Sequence, residues 1–219
     1  MMKLSNETIQ ILKNFASINA NIMFRKGKTI TTINSGKNVY GKAEVAEEFP
    51  AQCPIYDLHS LLALLTIDED QDVEFGEKCL TISKGSYKID YYYAAENVIV
   101  AAPEKSVELD THYEFDISAA DINMINKAAA ITSAPHINLV AKGGEVNLIV
   151  GDIDEPTANL YTKKIGKSNL EFKCVALVEN FKMIPDSYKV TLSKKKALHF
   201  KNNSKSLEYL LALEKDSEV

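Results

Sequence analysis

The sequence predicts an α+β protein made of two copies of one domain, each with antiparallel sheets and two helices. Three observations carry this. The stretch Leu4 to Ile18, LSNETIQILKNFASI, recurs without a gap: Leu4 falls on Ile117, Ser5 on Ser118, Ile9 on Ile122, Leu12 on Ile125 and Ala16 on Ala129. Each half then continues as short alternating runs separated by tight turns. Between the halves lies AAPEKSVELDTHY, residues 101–113, which has no periodicity and contains Pro103. The expected organisation is a first domain over 1–100, a linker over 101–113 and a second domain over 114–219.

The elements follow in order. In the first repeat Ile9, Ile11, Leu12, Phe15, Ala16 and Ile18 fall on one half of a helical wheel, and Glu7, Gln10, Lys13, Asn14 and Ser17 on the other. Strands are expected at NIMFR, TITTI and NVYGKAEV, joined through Lys26-Gly27-Lys28 and Asn34-Ser35-Gly36-Lys37. Ile55 and Tyr56 end a further strand, and Asp57 caps a short helix carrying Leu58, Leu61, Leu62 and Leu65. DVEFG, KCLTISK and SYKIDYYYA complete the half. The second half repeats this order: a helix from Ser118 to Ile131, strands at INLVAK, EVNLIVG and TANLYTKK, a strand and short helix in CVALVENFKMI, then SYKVTLS, KALHFKN and SLEYLLAL. The offset between the copies drifts by a few residues, absorbed in loops, as in two diverged copies of one domain.

Composition is that of a soluble globular protein, with 46% hydrophobic and 25% charged residues. No apolar run is long enough to span a bilayer and MMKLSNETIQ has no signal-like core, so a cytosolic, unanchored protein is expected. Cys53, Cys79 and Cys174 lack zinc or disulfide spacing and read as buried thiols. The net charge of −5 argues against a domain that holds nucleic acid by bulk electrostatics.

Several patterns dissolve on inspection. Gly27-Lys28-Thr29 and Gly166-Lys167-Ser168 lack the earlier glycine of a phosphate-binding loop and read as hairpin turns. The run Asp68, Asp70, Asp72, Glu74 has Val73 and Cys79 where a calcium loop needs glycine and glutamate. His59, His112, His136 and His199 share no ligand spacing, and no acidic or cysteine partner is evident for them. Tyr91, Tyr92 and Tyr93 alternate faces on a strand and cannot form one stacking platform. No active site is legible. What remains is the polar arc of each repeated helix: Gln10, Lys13, Asn14 and Ser17 in the first, Asn123, Asn126 and Lys127 in the second.

The opening MKLSNETIQILKNFASINANIMF, the IYDL unit at Ile55 to Leu58, the NFKM unit at Asn180 to Met183 and the terminal SLEYLLALEKDS resemble the DNA polymerase sliding clamps of T4-like bacteriophages. The resemblance implies two clamp-fold domains per chain and a homotrimer closing into a ring, with helices lining the bore and sheets outside. It implies a non-catalytic processivity factor without cofactor or metal, encircling duplex DNA, tethering the replicative DNA polymerase, loaded by an ATP-dependent clamp loader and assisting late transcription factors. The setting would be the cytoplasm of the infected bacterial host. Three chains at −5 would carry −15, yet a ring holds DNA by topology, and weak sequence-blind phosphate contacts favour sliding.

On this resemblance Lys3, Gln10, Lys13, Asn14, Asn123, Asn126, Lys127 and Lys182 would face DNA, although each lysine also reads as an ordinary solubilising residue. Ile33, Val39, Val107, Leu109, Leu211 and Leu213 would border a pocket beside the linker, where carboxy-terminal peptides of polymerase and loader dock; several also read as core. Edge strands around Val98, Ile99 and Val100 and around Leu160 and Tyr161 would meet between subunits. The competing reading is a monomeric nucleic-acid-binding or transcription accessory module.

Overall fold

The chain's first helix, α1 (Asn6–Ile18), begins where Ser5 turns its hydroxyl back to accept from Thr8 N, 3.2 Å away. Its apolar half, Thr8, Ile9, Ile11, Leu12, Phe15, Ala16 and Ile18, is buried. The computed structural model describes residues 1–103 and 109–219, divided into two units, Met1–Lys105 and Ser106–Val219.

In the first unit α1 is followed by β1 (Ile22–Phe24), β2 (Gly27–Ile33), β3 (Val39–Phe49), β4 (Cys53–Ile55), α2 (Leu58–Leu65), β5 (Asp72–Phe75), β6 (Cys79–Lys84) and β7 (Tyr87–Tyr92). β2 and β3 form an antiparallel hairpin, β1 pairs with β4, and β5, β6 and β7 form an antiparallel meander. Asp57 caps α2 by accepting from Ser60 N at 3.1 Å. The core is aromatic at its centre: Phe24 stacks on Phe49 with centroids 4.6 Å apart, and Phe75 meets both edge-on. Gly41 lets α1 approach the sheet, since a Cβ there would lie 3.0 Å from the Phe15 ring.

The second unit runs β8 (Tyr113–Ile117), α3 (Ala119–Thr132), β9 (His136–Lys142), β10 (Glu145–Val150), β11 (Tyr161–Lys167), β12 (Phe172–Leu177), a 3-10 turn (Val178–Asn180), β13 (Tyr188–Ser193), β14 (Ala197–Asn202) and β15 (Leu207–Ala212). Its strands pair antiparallel in the orders β11-β10-β9-β12 and β8-β13-β14-β15. Tyr188, Tyr209 and Phe200 are fully buried at the centre. Tyr209 repeats the part of Tyr91: the Tyr91 hydroxyl donates to Asp57 O at 3.0 Å, while that of Tyr209 accepts from Ile184 N at 3.4 Å.

The structure departs from the sequence reading in five places. Gly27, Lys28 and Thr29 open β2, and Gly166 and Lys167 end β11, so neither group is a hairpin turn; β1 pairs with β4 and, among the described residues, not with β2. The second unit has no counterpart of α2, only the 3-10 turn, because Leu177 offers no capping side chain where Asp57 does and Pro185 turns Ile184 away from helical backbone. Tyr113 belongs to β8, which the irregular linker concealed. The first copy keeps only a trace of β8, an isolated bridge from Met2 to Val73 that answers the pairing of Phe115 with Val190. The segment around Val98 to Val100 is not an edge strand: Glu96–Val98 is a 3-10 turn, and Val100 N and O are bonded to the side chains of Asn21 and Asn19. His199 does have an acidic neighbour, with Nε2 3.0 Å from Glu208 Oε2 across the β14–β15 hairpin. Val107 lies outside the described residues.

Candidate nucleic-acid interface

Both helices, α1 and α3, turn a mainly polar surface outward because most of their apolar residues are spent on the structure beneath. On α1, Gln10, Lys13 and Ser17 are exposed and Asn14 is half-buried; Ser17 donates to Asn14 O at 2.6 Å. On α3, Asn123, Asn126 and Lys127 are exposed, and beside them Met124 and Ile131 stand out at 46% and 83% exposure. Lys3 is exposed ahead of α1, and Lys182 is exposed between buried Phe181 and Met183. No acidic side chain follows Glu7 within α1 or Asp121 within α3. Such faces offer a few ammonium groups and amides, enough for phosphate contacts and too sparse for base readout.

The first unit holds an open polar cleft of about 630 Å³, lined from α1 and its approach by Lys3, Gln10 and Lys13 and from the loop after α2 by Asp68, Glu69 and Asp70. The carboxylates beside these lysines weaken their pull on a polyanion. Asp68 is paired with Lys84 at 2.8 Å, and that contact holds its carboxyl below the usual range.

The helix starts are fixed by acids from different places. In α3, Ser118 and Asp121 form a capping box, and Asp121 also pairs with Lys163 of β11. Burial raises the Asp121 carboxyl, but the bonds from Lys163 and Ser118 outweigh it and leave it lowered. In α1 the equivalent third position is Thr8, and the carboxylate comes from β3: Glu47 accepts from Ser5 N and, at 2.5 Å, from the Thr8 hydroxyl. Burial opposes ionisation of Glu47, yet these bonds hold it below its ordinary value. Glu47 escaped the sequence reading; the one signal was Thr8 standing where the repeat has Asp121.

The remaining sequence candidates fall as follows. Ile33 and Val39 are buried in the first unit. Leu211 and Leu213 are buried in the second and line a small apolar cavity of about 20 Å³; Leu109 is half-buried. β7 and β11 each end a sheet among the described residues. Tyr92 of β7, Val98 of the 3-10 turn and Leu160 just before β11 are exposed at 71%, 53% and 47%, while Ile99, Val100 and Tyr161 are half-buried.

Comparison with known proteins agrees with this geometry. The family model described as DNA polymerase processivity factor matches residues 5–101. The sliding clamp of Escherichia phage RB69 is 30% identical over 233 residues, covering 99% of this chain and 98% of that protein. The sliding clamp of Vibrio phage KVP40 is 29% identical over 221 residues, covering 97% and 99%. Among solved structures, the proliferating cellular nuclear antigen of Entamoeba histolytica matches with a TM-score of 0.69 at 16% identity, covering 94% of each chain. That of A. fulgidus, with the C-terminal region of FEN-1 bound, matches with 0.68 at 14% identity, covering 99% of this chain and 98% of that one. The repeated α+β architecture is therefore that of the clamp class. Within it, the chain belongs to the sliding clamps of T4-like bacteriophages, which are DNA polymerase processivity factors.

Proposed function

We propose that three copies of the chain close head to tail into a ring that encircles duplex DNA and tethers the replicative polymerase without chemistry of its own. One observation carries the reading: the sheet edges at β7 and β11, open among the described residues, lie in different units and are unlike each other. Self-association through them is heterologous and must close into a ring or run on as a filament. Tyr92, Val98 and Leu160 would be covered in that contact. The α1 and α3 faces, with Lys3 and Lys182, would meet phosphates weakly and without sequence preference, as sliding requires. An ATP-dependent loader would open the ring, and polymerase, loader and late transcription factors would dock short segments beside the linker root of the first unit, near Ile33 and Val39. The C-terminal region of FEN-1 bound to the A. fulgidus protein supports a terminal segment as the kind of occupant. The site of action is the cytoplasm of the infected host.

Sedimentation equilibrium at micromolar concentration tests the assembly. A species of three times the 24.3 kDa chain mass is expected. A stable monomer with affinity for linear single strands would instead favour the accessory-module reading.

A further inference from the structure

The segment that leads into the linker is held by side chains. Asn19, the residue that ends α1, donates from Nδ2 to Ile33 O at 2.8 Å and to Val100 O at 3.0 Å. Its Oδ1 accepts from Asn21 N at 2.9 Å. Asn21 accepts from Val100 N at 3.1 Å and donates to Tyr56 O at 2.6 Å. Arg25, in the β1–β2 turn, donates from Nη2 to Ala102 O at 2.8 Å and from Nη1 to the Thr31 hydroxyl at 3.3 Å. Val100 thus has both backbone polar groups satisfied by asparagines, as a strand would be by its neighbour, although no strand is there. Ala102 is 3% exposed. The carboxamide of Asn19 joins Val100 directly to Ile33, one of the residues assigned to partner docking.

We infer that Asn19, Asn21 and Arg25 are positioning residues for partner docking: they fix the root of the linker, Val100 to Ala102, against the end of β2, so that an incoming peptide meets a preset edge. This rests on the proposal that partners dock beside the linker. A loose root would have to be ordered at each binding event, and that entropy would be subtracted from affinity. The three side chains are placed to hold the segment beforehand.

The test uses the full chain with a fluorescent synthetic peptide copying the carboxy-terminal segment of the phage's replicative polymerase. Asn21→Ala and Arg25→Met reach the root from different elements. Each should weaken binding about fivefold, chiefly by faster dissociation, and the pair should do so by more than either alone. Arg25→Lys, which keeps a donor, should recover part of the loss. Amide exchange at Val100 and Ala102 should accelerate in step, while the mass of the assembly and the salt dependence of DNA binding stay unchanged. Faster exchange at the root with peptide affinity within twofold of the parent overturns the inference and leaves linker-side docking standing. No binding to the parent chain overturns the docking proposal and this inference together. A fall in assembly mass that accounts for the weaker binding would show the residues to be structural only, which also overturns it.

Discussion

Replacing Glu47 by alanine removes the carboxylate that starts α1 from across the fold. Two hydrogen bonds disappear, from Ser5 N and from the Thr8 hydroxyl, and Thr8 is only 1% exposed, so water does not readily replace them. Hydrogen bonds to a charged group contribute about 1.5–3 kcal/mol each, and a buried hydroxyl left without its acceptor adds a penalty of similar size. The Ser5 hydroxyl, 3.0 Å from Thr8 Oγ1, offsets part of this. Glu47 is half-buried, so the low end of these ranges applies, and a net loss of about 3–4 kcal/mol is expected, or about 6–16 °C in the melting transition for a chain of this size. The Glu47 carboxyl is lowered in the folded chain, so its contribution is present above the unfolded value and disappears as pH falls through the folded one. Wild type should therefore lose stability below about pH 4, and Glu47→Ala should be flatter there. Urea titrations of both proteins at neutral and acid pH measure each quantity. In a double-mutant cycle, Thr8→Val removes the stranded hydroxyl and should make Glu47→Ala cheaper by about 1 kcal/mol. A loss under about 0.5 kcal/mol, or strict additivity with Thr8→Val, would refute the reasoning.

Other expectations follow from the same geometry. Asp121→Ala should cost about 1–2 kcal/mol because it removes a capping box, whereas Lys163→Met, whose side chain is 40% exposed, should cost less than about 0.5 kcal/mol in the same titration. Gly41→Val should displace the Phe15 ring and destabilise the first unit by about 1–3 kcal/mol, read by thermal melting. Burial pushes the Cys174 thiol up to about 12, so at pH 8 an alkylating reagent should modify half-buried Cys79 well before Cys174, as peptide mass spectrometry would report. Changing Lys13 and Lys127 together to glutamine should weaken loading onto DNA and direct affinity for linear duplex, without altering topological retention on a closed circle. The slope of log affinity against log salt should flatten by about 0.9 for each phosphate that is no longer neutralised, with the assembly intact by sedimentation. Dissociation of the assembly would show these lysines to be structural.

What the sequence made legible was whatever depends on periodicity. α1 and α3 were readable because Ile9, Leu12 and Ala16 recur as Ile122, Ile125 and Ala129, and the polar arcs are what that pattern leaves over. Most strands followed from alternation between turns. Misses came where local pattern is weak or the decisive partner is distant. YEFDI is a five-residue strand adjoining an irregular linker, and only β13 makes it one. VENFKM shares the hydrophobic spacing of the α2 segment but lacks a cap. Glu47 and the Asn19–Asn21–Arg25 tether act over separations of 39 to 81 residues, which no window of sequence contains. Val98 to Val100 looked like an open edge because the asparagines that satisfy Val100 are far away in the chain.

The central claim is that the protein holds DNA by enclosing it. Load it with clamp loader and ATP onto a nicked circular duplex, isolate the complex by gel filtration, and cut the circle once with a restriction enzyme. Retention on the intact circle and rapid loss after cutting is the expected result. Equal retention on circle and linear DNA would contradict the account, since only direct affinity could then be holding the protein in place.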